Sequence, residues 1–168
     1  MTSKSWVVLA VAFGSIACGK NEAPVGGAPS TATASPAPAA CDHAACGDSF
    51  FVDAVARDGC ATAGRCEVAL KLTATGAFHV NDQYPYRFKA EAVPAVEFLG
   101  TDPAGKNVFS RQGGDWTQTD AKSGVLTVHW TPTAAGAGTL SGVFKLSVCS
   151  EQNCLIEQPQ LRVPIHSS

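Results

Sequence analysis

Much of the machinery that would mark a common enzyme or binding class is missing from this sequence. It carries no basic run and no stripe of interleaved basic and aromatic residues, which argues against nucleic acid as a partner. Charge is nearly balanced, with 12 Lys and Arg against 14 Asp and Glu for a formal net of −2, so it points to no strongly charged partner. No segment shows three turns of amphipathic helical periodicity, and past Cys18 no apolar stretch approaches the ~20 residues that span a bilayer as a helix. A phosphate-binding glycine loop, paired carboxylates and a Ser/His/Asp arrangement are likewise lacking; the glycines sit at turns. Nothing calls for a cofactor.

What is present begins with the N-terminus. Met1 to Lys4 is a short segment with one positive charge, Trp6 to Ile16 is almost wholly apolar, and "SIAC" sets small residues before Cys18. This is the pattern of a secretory signal. It resembles a bacterial lipoprotein signal, in which the cysteine at the cleavage point carries the lipid, although Ser15 stands where that pattern usually has Leu. The alternative is an ordinary cleaved signal with Cys18 in or near its apolar stretch. Residues 1–17 are therefore expected to be the signal and Cys18 the lipidation site. Gly19 stands where a signal for inner-membrane retention normally has Asp, which for a Gram-negative source directs the protein to the periplasmic face of the outer membrane. The membrane would be met through the lipid alone.

Cysteine counting agrees with this. Seven cysteines are odd, which in an exported protein leaves a loose thiol. With Cys18 acylated, Cys41, Cys46, Cys60, Cys66, Cys149 and Cys154 remain, in a compartment that permits disulfides. They fall into local couples, 41/46, 60/66 and 149/154, the simplest of the roughly 15 connectivities that six cysteines allow.

Residues 18–40 are mostly Ala, Pro, Gly, Ser and Thr with almost no large apolar side chain, and such a composition cannot offset chain entropy by burial. A flexible tether of this length spans about 25 Å. The folded domain, 41–168, is expected to begin between Cys41 and Ser49. Its pattern is β. "CEVALKLTAT" sets Val68, Leu70 and Leu72 against Glu67, Ala69, Lys71 and Thr73. "GVLTVHWTP" sets Leu126, Val128 and Trp130 against Val125, Thr127 and His129, and "SGVFKLSV" puts Phe144, Leu146 and Val148 on one face. With the short runs "AVEFL" and "NVFS", and with "TDPAGK", "RQGGD" and "AAGAG" as turns, about seven strands predict an all-β, immunoglobulin-like antiparallel sandwich.

The closing stretch, "VFKLSVCSEQNCLIEQPQLRVPI", carries the chemistry of most interest. If Phe144, Leu146 and Val148 face inward, then Lys145, Ser147 and Cys149 face outward, which predicts an accessible Cys149. "SEQN" suits a four-residue hairpin loop that sets Cys154 opposite Cys149, about 4.5–5.5 Å away between Cα atoms, within disulfide reach. A bond there serves as a structural staple or as an exchanging dithiol. The nearest charge, Glu151, opposes thiolate formation, and Lys145 on the Cys149 face partly offsets it.

The same stretch resembles the end of the N-terminal periplasmic domain of the thiol:disulfide interchange protein DsbD and its stand-alone relatives. There a strand ends in a cysteine, four or five residues follow, and a second cysteine precedes Leu or Tyr and a final strand. "GAFHVNDQYPYRF" is similar to that family's G-x-H-x-N…P segment. The resemblance implies an immunoglobulin-like fold and a redox pair, Cys149 and Cys154, that passes electrons between thioredoxin-like periplasmic or membrane proteins. This chain has a single proline, Pro159, where the family has a Pro-Pro step. The family's aromatic cap over the pair would fall to Phe98 or Phe109, because "LGTDPAGKNV" holds no aromatic residue. With no electron-conducting membrane domain and no CxxC motif here, any reductant is another chain. The alternative function is a non-catalytic, disulfide-stapled binding or scaffold lipoprotein.

Other candidates are bland. Cys41, His43 and Cys46 in "CDHAAC" offer three soft ligands for zinc or copper, but no fourth is identifiable and an oxidising compartment favours disulfides; no metal site is expected. Cys41, Cys46, Cys60 and Cys66 read as structural, with Cys41 and Cys46 stapling the start of the domain either locally or to Cys60 and Cys66. His79 is either an acid/base near the thiols or, more simply, a structural histidine in a turn, with Asn81 and Asp82 leading into Tyr84-Pro85-Tyr86. His129 needs no special role, and Trp116 and Trp130 read as packing residues.

Overall fold

The computed structural model describes residues 41–57 and 59–168; the signal, Cys18 and the tether lie outside them. Among the described residues there are twelve strands: β1 (Ala45–Gly47), β2 (Phe50–Ala56), β3 (Cys66–Ala74), β4 (His79–Val80), β5 (Arg87–Ala90), β6 (Val96–Phe98), β7 (Val108–Ser110), β8 (Trp116–Gln118), β9 (Ser123–Pro132), β10 (Gly136–Cys149), β11 (Cys154–Glu157) and β12 (Gln160–Ser167). All pairings are antiparallel, and among the described residues there is no helix. The fold is an all-β, immunoglobulin-like sandwich.

One sheet runs β1-β2-β3-β9-β6, with β8 also beside β9. The other is built on β10, fourteen residues long, flanked by β12 and then β11 on one side and by β5 and β4 on the other, with β7 outside β5. The alternation seen in the sequence is what closes the two sheets together. Val68, Leu70, Leu72, Leu126 and Val128 from the first sheet meet Phe88, Phe144, Leu146 and Val148 from the second, all at 0% exposure. Each such side chain contributes about 1.5–3 kcal/mol by leaving water.

The strand count is the main departure from expectation. β1, β4 and β8 have three residues or fewer, too short for a period-two pattern to register. "AAGAG" is not wholly a turn: β10 begins at Gly136, and the β9–β10 connection is Thr133 to Ala135. The hairpin between β10 and β11 is closed as expected, with Cys149 opposite Cys154. Ser150 explains why "SEQN" turns there. Its N–H donates to the Asn153 carbonyl at 2.8 Å, and its hydroxyl accepts from the Gln152 and Asn153 N–H groups, each at 3.3 Å.

Candidate functional site

Three disulfides, Cys41–Cys46, Cys60–Cys66 and Cys149–Cys154, join the local couples. The first two brace chain ends of strands. Cys46 lies in β1, and Cys66 opens β3 with Cys60 in the loop before it. Because Cys41 and Cys46 bond each other, they are not arranged as metal ligands with His43. The imidazole instead stacks on Phe51 with centroids 4.1 Å apart and places Nδ1 2.6 Å from Asp53 Oδ1.

The third disulfide differs in kind. It joins two residues directly opposed on neighbouring strands, with Cα atoms 4.0 Å apart. Breaking it leaves both cysteines held by the β10–β11 ladder, so no loop has to open or close around the change.

Accessibility is the reverse of what parity alone predicts. Cys149 does lie on the face away from the core, with Lys145 and Ser147, yet it is only 6% exposed and Ser147 is fully buried. The segment after β4 closes over that part of β10. The Asn81 amide donates to Ser147 Oγ at 3.4 Å, and its backbone N–H donates to the Ser147 carbonyl at 3.3 Å. The Tyr86 hydroxyl sits 2.8 Å from both the Asn81 and Ser147 carbonyls, on which its single proton is shared. Burial raises the pKa of this phenol, which keeps it a donor. Cys154, on the free edge strand β11, is the exposed member of the couple. Ile156, two residues on and on the same face, is 62% exposed.

The remaining candidates divide. His79 is not in a turn. It opens β4 and lies opposite Cys149, on the side of β10 away from Cys154. Cys149 therefore has a cysteine as one cross-strand neighbour and a histidine as the other. Asn81 is the turn residue expected, its Oδ1 accepting from the Gln83 N–H at 3.0 Å. Lys145 is exposed and opposite Arg87, four residues or about 13 Å along the strand from Cys149.

Phe98 and Phe109 do not cap the couple. They pack on each other edge to face at 6.0 Å, buried to 7% and 0% exposure. Phe109 pairs with Phe88, itself opposite Phe144, which puts it beside the middle of β10 rather than its end. The reason is ordinary: short apolar runs on β6 and β7 are drawn into the sandwich. Tyr86, in a Tyr-Pro-Tyr step that reads as a turn, holds the Asn81 segment against Ser147. Its buried ring stacks on Trp116 at 3.9 Å, and an aromatic after Pro85 was the only signal for it.

Neither a protein-family model nor a curated protein matches the chain. Among solved structures, the chain is similar to AggA, the major subunit of aggregative adherence fimbriae type I from Escherichia coli, at 10% identity and a TM-score of 0.34 over 75% of this chain and 99% of that one. A likeness that weak carries no argument about function.

Proposed function

We propose that this protein is a lipid-anchored periplasmic component of thiol–disulfide exchange, working through Cys149 and Cys154 as members of the DsbD N-terminal family do. Cys18 would carry the lipid, residues 18–40 would tether the domain to the periplasmic face of the outer membrane, and the partner would be a thioredoxin-like protein with its own dithiol.

The observation that carries this reading is the unequal exposure of two directly opposed cysteines. An incoming partner thiolate reaches Cys154 Sγ, the exposed sulfur, and the Cys149–Cys154 bond breaks with Cys149 leaving as thiolate. A second partner thiolate then attacks the mixed disulfide and releases Cys154. Two electrons and two protons pass to this chain, and the partner is left as a disulfide. The reverse sequence reduces an oxidised partner.

The competing reading is a scaffold whose three disulfides are all staples, and the same couple decides between them. On the full chain, the reduction potential of Cys149–Cys154 is measured in thiol buffers and the Cys149→Ser variant is mixed with an oxidised thioredoxin-like protein. Exchange predicts a potential above about −300 mV, the bound below which structural bonds resist reduction, and a mixed disulfide through Cys154. A lower potential with no mixed disulfide makes the protein a scaffold.

A further inference from the structure

The direction of attack leaves a chemical difficulty, and its solution extends the reading above, on which it rests. When Cys154 is attacked, the electron pair of the broken bond goes to Cys149, which is 6% exposed. A thiolate formed in a nearly buried position is poorly solvated, so its conjugate thiol has a raised pKa and it leaves slowly. A cation or proton donor beside Cys149 would remove the difficulty.

The groups around the couple can be taken strand by strand. Along β10, Lys145 lies about 13 Å away with Ser147 between. The hairpin loop offers Glu151, whose charge opposes a thiolate, and β11 offers Ile156 and then Glu157. After β4 comes Asp82, and after β7 comes Arg111, whose guanidinium is spent on the Asp82 carbonyl. Before β9, the Lys122 ammonium is spent on the carbonyls that precede β4, Gly76 at 2.7 Å and Phe78, and Asp120 accepts from the Lys122 N–H at 2.7 Å. That leaves His79. It is the residue opposite Cys149 on β4, on the same face of the sheet, and opposed residues of an antiparallel pair bring their Cβ atoms to about 4.5–5.5 Å.

We propose that His79 is the group that receives the leaving Cys149: as imidazolium it stabilises the departing thiolate and gives it its proton, and as imidazole it takes that proton back when Cys149 attacks in the reverse direction. The three residues, Cys154, Cys149 and His79, form a row across three strands, with the attacked sulfur at the exposed edge, the leaving sulfur at the centre and the proton carrier beyond it. His79 is exposed, so its proton exchanges with solvent between turnovers. His79 supplies the proton that Cys149 takes, the partner's thiols supply the one that Cys154 takes on its release, and the two electrons come from the partner dithiol.

The test compares wild type, His79→Gln and His79→Lys as full chains, measuring the rate at which a reduced thioredoxin-like protein reduces the couple between pH 5 and 8. Taking the ratio of rates at each pH cancels the ionisation of the attacking thiol. The wild-type to Gln ratio is expected to be largest, roughly tenfold, at the acid end of this range and smallest at the alkaline end, because only a protonated imidazole can give Cys149 its proton. His79→Lys keeps a charge throughout and is expected to restore fast reduction with a flat ratio. A ratio that stays constant with pH, or a Lys variant as slow as Gln, overturns the role of His79. A wild-type couple that no dithiol reduces overturns the exchange reading itself, so the two failures are distinguishable. Far-UV circular dichroism and an unfolding midpoint like those of wild type show that the variants fold.

Discussion

At the scale of single residues, the couple is governed by what covers it. Strand parity alone puts Cys149 on the outer face, and it is there; but outer does not mean exposed when a neighbouring segment folds over the strand. The Tyr86 hydroxyl, fixed on the Asn81 and Ser147 carbonyls, is the fastening. Tyr86→Phe keeps the ring on Trp116 and removes this bond, and should cost about 1–2 kcal/mol in denaturant unfolding. Because the Ser147 carbonyl also accepts from Asn81 N–H, the loss should stay within that range. The variant should also make Cys149 more reactive to alkylating agents once the couple is reduced. Such a fastening is invisible in the sequence, where Tyr86 and Ser147 are 61 positions apart.

At the scale of elements, β10 organises everything around the site. Its inward row, Phe144, Leu146 and Val148, is fully buried and was legible from alternation alone. Phe144 pairs with Phe88 across the strand and lies 6.5 Å from the Trp116 ring, so Phe144→Ala should open a cavity and cost about 3–5 kcal/mol in equilibrium unfolding. The short partners of β10 were not legible. β4 is two residues long and exists because Val148 and Cys149 offer it a ladder, not because "HV" prefers to be extended. The same applies to Phe98 and Phe109, whose neighbours in space are one another rather than the cysteines. Elsewhere, a methyl group at Gly124 would run into the Trp116 ring, so Gly124→Ala should destabilise the β8–β9 pair by about 1–3 kcal/mol, read from its unfolding midpoint.

For the whole molecule, one buried and one half-buried ionisable group set how stability falls on the acid side. Asp102 is held below the usual carboxylate range, first by the Ser110 hydroxyl at 2.5 Å, then by the Ala104 N–H, with Arg87 adding its charge. Its stabilisation is present above the unfolded carboxylate value, about 3.9, and is lost as pH falls through the lower folded value. His129 is held down by burial first and by Arg65 second. The unfolded chain therefore binds a proton below about pH 6.5 that the folded one resists, and stability declines from there. Unfolding midpoints should fall in two stages with acidification, and His129→Gln should remove the first. The three disulfides should also differ in resistance. Cys60 and Cys66 are buried while Cys154 is exposed, so stepwise reduction with alkylation should label Cys149 and Cys154 before Cys60 and Cys66. Losing the 149–154 bond alone should cost about 2 kcal/mol, the entropy of so short a loop, and leave the fold intact.

Local pattern by itself determined the sandwich and the hairpin that opposes Cys149 to Cys154, while the pairing of Cys41 with Cys46 and of Cys60 with Cys66 was one of several it allowed. Those properties depend on alternation, spacing and turn chemistry among residues close along the chain. Only the tertiary structure decided that Cys154 is the exposed member of the couple, that Cys149 is buried, and that His79 stands at its other side. Exposure and cross-strand company depend on which distant strands come to lie beside β10. That choice is made by the packing of two sheets, and no single stretch of sequence contains it.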